Sequence, residues 1–387
     1  MAEGYPEQDG QPVVDCRPLF VGAGDDPSAA NCRAATLVQL RSALLARGYF
    51  YASMGSLLPA ELIERVYLQS ILAHSLPRGL KQEKYAGRKA PYRGFSDSEP
   101  SYDATTESTC HSWDFGRDVA VLPRSDPDYE YCGPNIYPDD ELPDFRATID
   151  ELYDRQDRLA VVMFKALAEM FALPPDTFAE HFSWRSSSSL RLLRYPGQAA
   201  TTVDARTTGG RRKQVTPKDG SPKKTGISPH TDYEMFTLMH QDAPGLQIVP
   251  MHGQGWIDLP VRPAEFVIIV GDMLERYTNG RLRATPHRVQ LTPWPRNSII
   301  RFTAVNGSTI VAPLPAFVTD GIEPLYTPVS QVQHVVSSLQ AVYDGTGSWD
   351  ANAPPQGRSL SASRVYKPGE YEELRKQYSA KVESAKL

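Results

Sequence analysis

Hydrophobic and polar positions along this 387-residue chain follow two rhythms, and the change from one to the other divides it. Over the first 180 or so residues, apolar side chains recur every three or four positions. Leu37, Leu40, Leu44 and Leu45 do so ahead of Gly48, and Leu62, Val66, Leu68 and Ile71 do so between Pro59 and Leu80, so both stretches predict amphipathic helices. The longest such run, Pro143 to Ala172, places Leu152, Leu159, Val162, Met163, Ala166, Leu167 and Met170 at helical spacing and predicts a helix that buttresses a sheet. QPVVDCRPLF and YFYASM read as early strands. From SLRLLRYP onward the period falls to two. MFTLMHQD, GLQIVP, GWIDLPV, EFVIIVGDM, ATPHRVQL and NSIIRFTAV are short runs set apart by Gly and Pro, which indicates an antiparallel sandwich or jelly roll and not a parallel sheet. GDMLERYTNGRLRA reads as a tight turn and short loop between two of them.

Four segments are expected: a helical and mixed region over 1–142, a buttressing helix within 143–180, a strand-rich core over 181–345 and a charged helical tail over 346–387. The core is interrupted at 198–226, where seven basic residues stand against two acidic ones and apolar content is too low to pack. This predicts a mobile basic loop, either a substrate lid or anion-attracting flap, or a solvated insertion with no role.

Hydrophobic residues at 41% and charged residues at 22% are ordinary for a globular domain, and a net charge of -5 gives no hint of nucleic-acid binding. No apolar run reaches the ~18 residues that would span a bilayer, and the polar, acidic start does not read as a signal peptide. Cys16, Cys32, Cys110 and Cys132 are scattered, which predicts reduced thiols and a cytoplasmic protein, and argues against a structural zinc site.

The candidate chemistry lies at His230-Thr231-Asp232 and at His287. Strand residues two apart share a side, so His230 and Asp232 could offer an imidazole and a carboxylate to one ion, with a distant strand supplying the third ligand. Two histidines and a carboxylate on one face of an ion leave the opposite positions open, as in non-haem Fe(II) oxygenases. No pair of histidines has the helical spacing of a zinc hydrolase. Alone, His-x-Asp is a weak signal, since a histidine on an apolar face is more often a hydrogen-bonded core residue.

The surrounding text strengthens it. SPHTDYEMFTLMHQDAPGLQIV, then WIDLPVRPAEFVIIVGDMLERYTNGRLRATPHRV, then RNSIIRF, resemble the iron(II)/2-oxoglutarate-dependent oxygenase superfamily, in the branch shared with isopenicillin N synthase and plant-type dioxygenases. The resemblance implies a double-stranded β-helix, or jelly-roll, core of the cupin-like kind, mainly β, with flanking helices and a helical N-terminal region. It implies Fe(II) held by His230, Asp232 and His287, and 2-oxoglutarate held by Arg296, Ser298 and Tyr195. It implies consumption of O2, release of succinate and CO2, stimulation by ascorbate, and hydroxylation, desaturation or ring formation on a small molecule of specialised metabolism, by a monomer or weak homodimer. Arginine suits the distal carboxylate of 2-oxoglutarate because its planar fork pairs both oxygens, and a serine two residues on faces the same way.

Phe236, Ile300, Phe302, Arg191 and Arg93 are candidates for the substrate pocket, with no catalytic residue expected beyond the iron centre. His111 and Trp113 stand in a loop region expected to approach it. Arg301 has the opposite parity to Arg296 and Ser298, so it is expected outside the cavity, against the long helix. His74 reads as structural, His240 and His252, in or near turns, as surface or structural, and Trp256 and Trp294 as core or edge packing. Leu193 stands where the family often has Asn. That departure keeps open an oxidase of the isopenicillin N synthase type that uses no 2-oxoglutarate, and a non-catalytic binding protein is a further alternative.

Overall fold

The computed structural model describes residues 6–20, 27–87, 93–97, 106–126, 128–129, 132–197, 223–251, 255–318 and 323–343. The expectations for the basic loop over 198–222, for the tail over 346–387 and for His252 fall outside them.

The chain opens with β1 (Glu7–Gln8) and β2 (Gln11–Asp15), joined by Asp9 and Gly10, both at positive φ as a tight Asp-Gly hairpin turn requires. Then come α1 (Arg17–Phe20), α2 (Pro27–Arg47), β3 (Tyr49–Ser53), α3 (Ala60–Ser75) and α4 (Arg78–Lys84). The single helix expected from Pro59 to Leu80 is therefore two, broken at Leu76-Pro77, where proline can neither donate its amide nor follow a helical residue comfortably. Next are β4 (Gly94–Ser96), β5 (Thr106–Ser108), β6 (His111–Phe115), the long α5 (Phe145–Glu169) and α6 (Asp176–Ala179).

The strand-rich part runs β7 (Ser189–Tyr195), β8 (Lys223–Thr225), β9 (Ile227–His230), β10 (Phe236–Gln241), β11 (Leu246–Ile248), β12 (Ile257–Asp258) and β13 (Glu265–Val270). It continues through α7 (Asp272–Tyr277), β14 (His287–Val289), β15 (Arg296–Thr303), β16 (Ile310–Val311), β17 (Val329–Ser330) and α8 (Gln331–Tyr343). Two helices differ from expectation. GDMLERYTNGRLRA opens with α7 and not a bare turn, because Met273, Leu274 and Tyr277 all find buried positions there. The segment of α8 is rich in β-branched residues and gave no helical signal; tertiary packing decides it.

A nine-stranded sheet, β1-β2-β3-β13-β10-β15-β7-β6-β4, faces a four-stranded one, β12-β11-β14-β9. In the large sheet all pairs are antiparallel except β2 with β3. Alternation sorts each strand's side chains into two cores. One face meets α2, α3 and α5 through Leu40, Leu44, Leu62, Val66, Phe164, Leu190, Leu192, Phe236, Leu238, Ile268 and Ile299. The other meets the small sheet through Tyr51, Leu193, Tyr195, Met239, Val267, Ile269 and Ile300 packed against Ile227, Leu246, Ile248 and Val289.

His240 is structural as expected, but within β10 and not at a turn; it faces the helices, with Nδ1 2.7 Å from the Tyr67 hydroxyl and Nε2 3.0 Å from the Pro263 carbonyl. His74 is structural as expected, its Nε2 3.2 Å from the Leu192 carbonyl. Trp256 lies under the Arg288 guanidinium, whereas Trp294 is 76% exposed and packs in no core.

Candidate metal centre

The small sheet brings the two histidines together. β9 and β14 are antiparallel neighbours with His230 directly opposite His287, and the register shifts between His287 and Val289. Asp232 reaches the same place differently from the strand-alternation argument, because β9 stops at His230 and Asp232 lies in the turn beyond it. The ligand atoms of the three residues lie within 4.8 Å of one another, the one such His/Cys/Asp/Glu group among the described residues. Asp232 Oδ1 is 3.6 Å from Nε2 of each histidine.

Outer contacts fix which atoms are offered. His230 Nδ1 is 2.9 Å from the Ser228 carbonyl and His287 Nδ1 is 3.1 Å from the Thr285 carbonyl. A carbonyl only accepts, so each ring carries its proton on Nδ1 and turns the Nε2 lone pair toward its two companions. The Thr237 hydroxyl donates to Asp232 Oδ2 at 2.5 Å, which leaves Oδ1 as the ligand oxygen. Burial holds the His287 imidazole down to about 4, keeping it neutral and able to bind metal. Burial alone would raise the Asp232 carboxyl, but His287, His230 and the Thr237 hydroxyl outweigh it and hold it below the usual range. Two neutral imidazoles and one carboxylate, with no protein donor opposite them in the group, fit Fe(II) with positions to spare.

On the same inner face, β15 presents Arg296, Ser298, Ile300 and Phe302. Arg296 is 2% exposed; Nε donates to the Ala243 carbonyl at 3.1 Å and Nη2 to Gln241 Oε1 at 2.9 Å, while Nη1 stands 3.5 Å from Ser298 Oγ. These are neutral oxygens, and among the described residues no carboxylate pairs with this buried guanidinium. Tyr195 lies opposite it across β15 and β7, and burial pushes its hydroxyl up to about 12, against the pull of Arg296. A buried cation with only neutral partners fits a dicarboxylate cosubstrate.

Arg191 is two residues before Leu193 in β7 and opposite Ile300, with its guanidinium carbon 5.9 Å from the centre of the Phe302 ring and Nε donating to Asp114 Oδ1 at 2.5 Å. One candidate is placed elsewhere. Phe236 is not a pocket wall: its parity turns it to the helices, where it meets Phe164 of α5 edge-on at 5.4 Å. Arg93 is buried against Gly116, with Tyr153, Asp114 and Cys132 around it. Trp113 is likewise in the helix-side core. Arg301 pairs with Asp157 of α5 and lies 4.0 Å from the Tyr153 ring, as its parity predicts. Thr237 and Gln241 went unnoticed in the sequence, although both share a parity on β10 opposite to Phe236 and could have been found by it.

The profile of the 2OG-Fe(II) oxygenase superfamily matches residues 193–304, the span that holds all three ligands and Arg296. The chain belongs to this superfamily. A 2-oxoglutarate-Fe(II) type oxidoreductase of Metarhizium rileyi is 29% identical over 305 residues, covering 74% of this chain and 80% of that one. Clavatol oxidase of Penicillium crustosum is 27% identical over 348 residues, 86% and 96% of the two chains. Among solved structures, a full-length Neurospora crassa protein in complex with alpha-KG and thymine superposes with a TM-score of 0.68 at 23% identity, over 87% of this chain and 99% of that one. JOX2 in complex with 2OG, Fe and JA does so with a TM-score of 0.60 at 19% identity, over 86% and 87%. These two carry the fold. The oxygenase is a 2-oxoglutarate-dependent dioxygenase, with Fe(II) held by His230, Asp232 and His287.

No described helix is long and apolar enough to cross a membrane, and the four cysteines are free thiols.

Proposed function

We propose that this dioxygenase oxidises a small secondary metabolite of the cytoplasm, with Arg296, Ser298 and Tyr195 gripping 2-oxoglutarate and with Arg191, Phe302 and Ile300 lining the substrate side. The observation that carries the cosubstrate assignment is the buried Arg296 guanidinium, whose described hydrogen-bond partners are all neutral. Its planar fork receives the distal carboxylate, Ser298 donates one further hydrogen bond, and Tyr195 closes the end of the slot.

When bound, Fe(II), 2-oxoglutarate and O2 together supply the oxidant that removes a hydrogen atom from a substrate carbon, with succinate and CO2 released. The chain's own part is geometric. Ser228 and Thr285 hold the imidazoles by their Nδ1 protons, Thr237 holds the carboxylate, and the apolar core around Met239, Ile248 and Ile300 keeps water from the reacting atoms. On the substrate side, the Arg191–Asp114 pair offers donors and an acceptor beside the Phe302 ring, which suits a flat molecule with polar groups at its edge. The names of relatives support a substrate of this size: clavatol for one, and bound thymine or JA in two solved structures.

The test is succinate formation from 2-oxoglutarate across a panel of phenolic and heterocyclic metabolites. Turnover stimulated by members of the panel is expected; substrate oxidation that proceeds equally well without 2-oxoglutarate overturns the cosubstrate assignment.

A further inference from the structure

The carbonyls of the main chain that carries Asp232 are held from outside both sheets. β9 ends at His230, so no strand ladder fixes the turn that follows. Instead, three consecutive carbonyls of that turn each accept a hydrogen bond from a helix. The Asp232 carbonyl accepts from the Asp272 amide at 2.8 Å, the Tyr233 carbonyl from Gln331 Nε2 at 3.1 Å and the Glu234 carbonyl from the Met273 amide at 3.0 Å. The Met235 carbonyl continues the series, accepting from the Gly271 amide at 3.0 Å. A side chain at Gly271 would put its Cβ 2.2 Å from the Glu234 carbonyl oxygen, so this close approach of two backbones requires glycine.

Three of these four bonds come from the start of α7 and the Gly271 before it, which follow β13 directly. The fourth comes from α8, which lies far along the chain from the turn. Gln331 is fully buried, and so is His334, one turn on, whose Nε2 lies 3.0 Å from Asp272 Oδ2. Thus α8 reaches the turn twice: directly through Gln331, and through His334, which holds the residue whose amide holds Asp232. The ring of His334 also stands edge-on to Tyr233 at 5.8 Å.

We propose that Gln331 and His334 are positioning residues of the iron centre, by which α8 sets the orientation of the Asp232 carboxylate. Groups behind a metal ligand act by restricting it to the productive geometry, and their loss typically lowers metal affinity by about 10–100-fold. A helix that only completed the hydrophobic core would lower stability when damaged and leave metal affinity alone.

The experiment measures Mn(II) binding to the apoprotein by calorimetry, with melting of the same apoprotein recorded in parallel. Gln331→Leu keeps the volume and removes the donor; Val335→Ala loosens α8 without touching the turn. Gln331→Leu is expected to weaken Mn(II) by about 10-fold or more, while Val335→Ala lowers the melting temperature and leaves Mn(II) affinity unchanged. Equal Mn(II) affinities in the two variants overturn the proposal. If Gln331→Leu does not fold, a second pair decides. His334→Gln, which can still donate to Asp272, is expected to bind Mn(II) as the native protein does, and His334→Phe several-fold more weakly. Indistinguishable affinities of that pair also overturn it.

Discussion

Arg296 and Tyr195 face each other across the antiparallel pair of β15 and β7, with the guanidinium carbon 4.7 Å from the centre of the phenol ring. The ring limits where the side chain can go, and Gln241 and Ala243 fix its other edge, so the fork is oriented before any ligand arrives.

On the proposed assignment, replacing Arg296 with Ala removes the charge partner of the distal carboxylate of 2-oxoglutarate. A loss of about 2–5 kcal/mol is typical of such a group, so 2-oxoglutarate affinity is expected to fall by at least ~30-fold while Mn(II) binding stays within about twofold. Calorimetric titration with each ligand separates the two. Unaltered cosubstrate affinity would refute the assignment. Tyr195→Phe, losing one hydroxyl, should cost about 1 kcal/mol.

Thr237 tethers the oxygen of Asp232 that does not face the histidines. Thr237→Val keeps the shape and frees the carboxylate to rotate, so metal affinity is expected to drop by about 10-fold. Asp232→Ala should abolish binding, and chelation of the native protein should abolish turnover until metal is restored. Binding by Asp232→Ala at native strength would mean that the ion sits elsewhere.

Phe236 and Phe302 lie on opposite faces of the large sheet, and their substitutions should differ in kind. Phe236→Ala empties a fully buried position against Phe164 and is expected to cost about 3–5 kcal/mol of stability, read by denaturant unfolding, with little change in KM for either substrate. Phe302→Ala and Arg191→Met should raise KM for the organic substrate and leave the melting temperature nearly unchanged. A reversed pattern would put Phe236 back in the pocket wall.

Burial lowers His74 to about 3, with its hydrogen bond to the Leu192 carbonyl opposing the shift. Unfolded, the imidazole titrates near 6.5. Between these values the unfolded chain binds more protons than the folded one, so the contribution of His74 to stability is complete above about pH 6.5 and is lost as pH falls toward 3, by up to ~1.4 kcal/mol per pH unit. His74→Gln can keep the hydrogen bond without the titration, and should flatten the fall in melting temperature between pH 6 and pH 4. An unchanged slope would show that other groups govern the acid limb.

Much of this was readable in the sequence because it rests on parity. Alternation placed Arg296, Ser298 and Ile300 on one face and Arg301 on the other, and helical spacing found the long helix against which Arg301 packs. The same rule applies to Phe236, whose parity turns it to the helices and puts Thr237 on the cavity face. Where neither rhythm operates, the sequence is silent. Asp232 sits in a turn, held by backbone groups of α7, and α8 is made a helix by burial of Gln331, His334 and Val335 in spite of its β-branched residues. No local pattern encodes contacts across such separations.

The two arginines of β15 make that strand intolerant of length change. They stand an odd number of positions apart, so one faces the proposed cosubstrate slot while the other is neutralised by Asp157, and both are almost wholly enclosed. Deleting or duplicating any single residue between them would leave one guanidinium among hydrocarbon with no counter-ion. Point substitutions in the middle of β15 can be absorbed by repacking, but a frame slip there strands a charge, and the polypeptide has no second alignment to fall into.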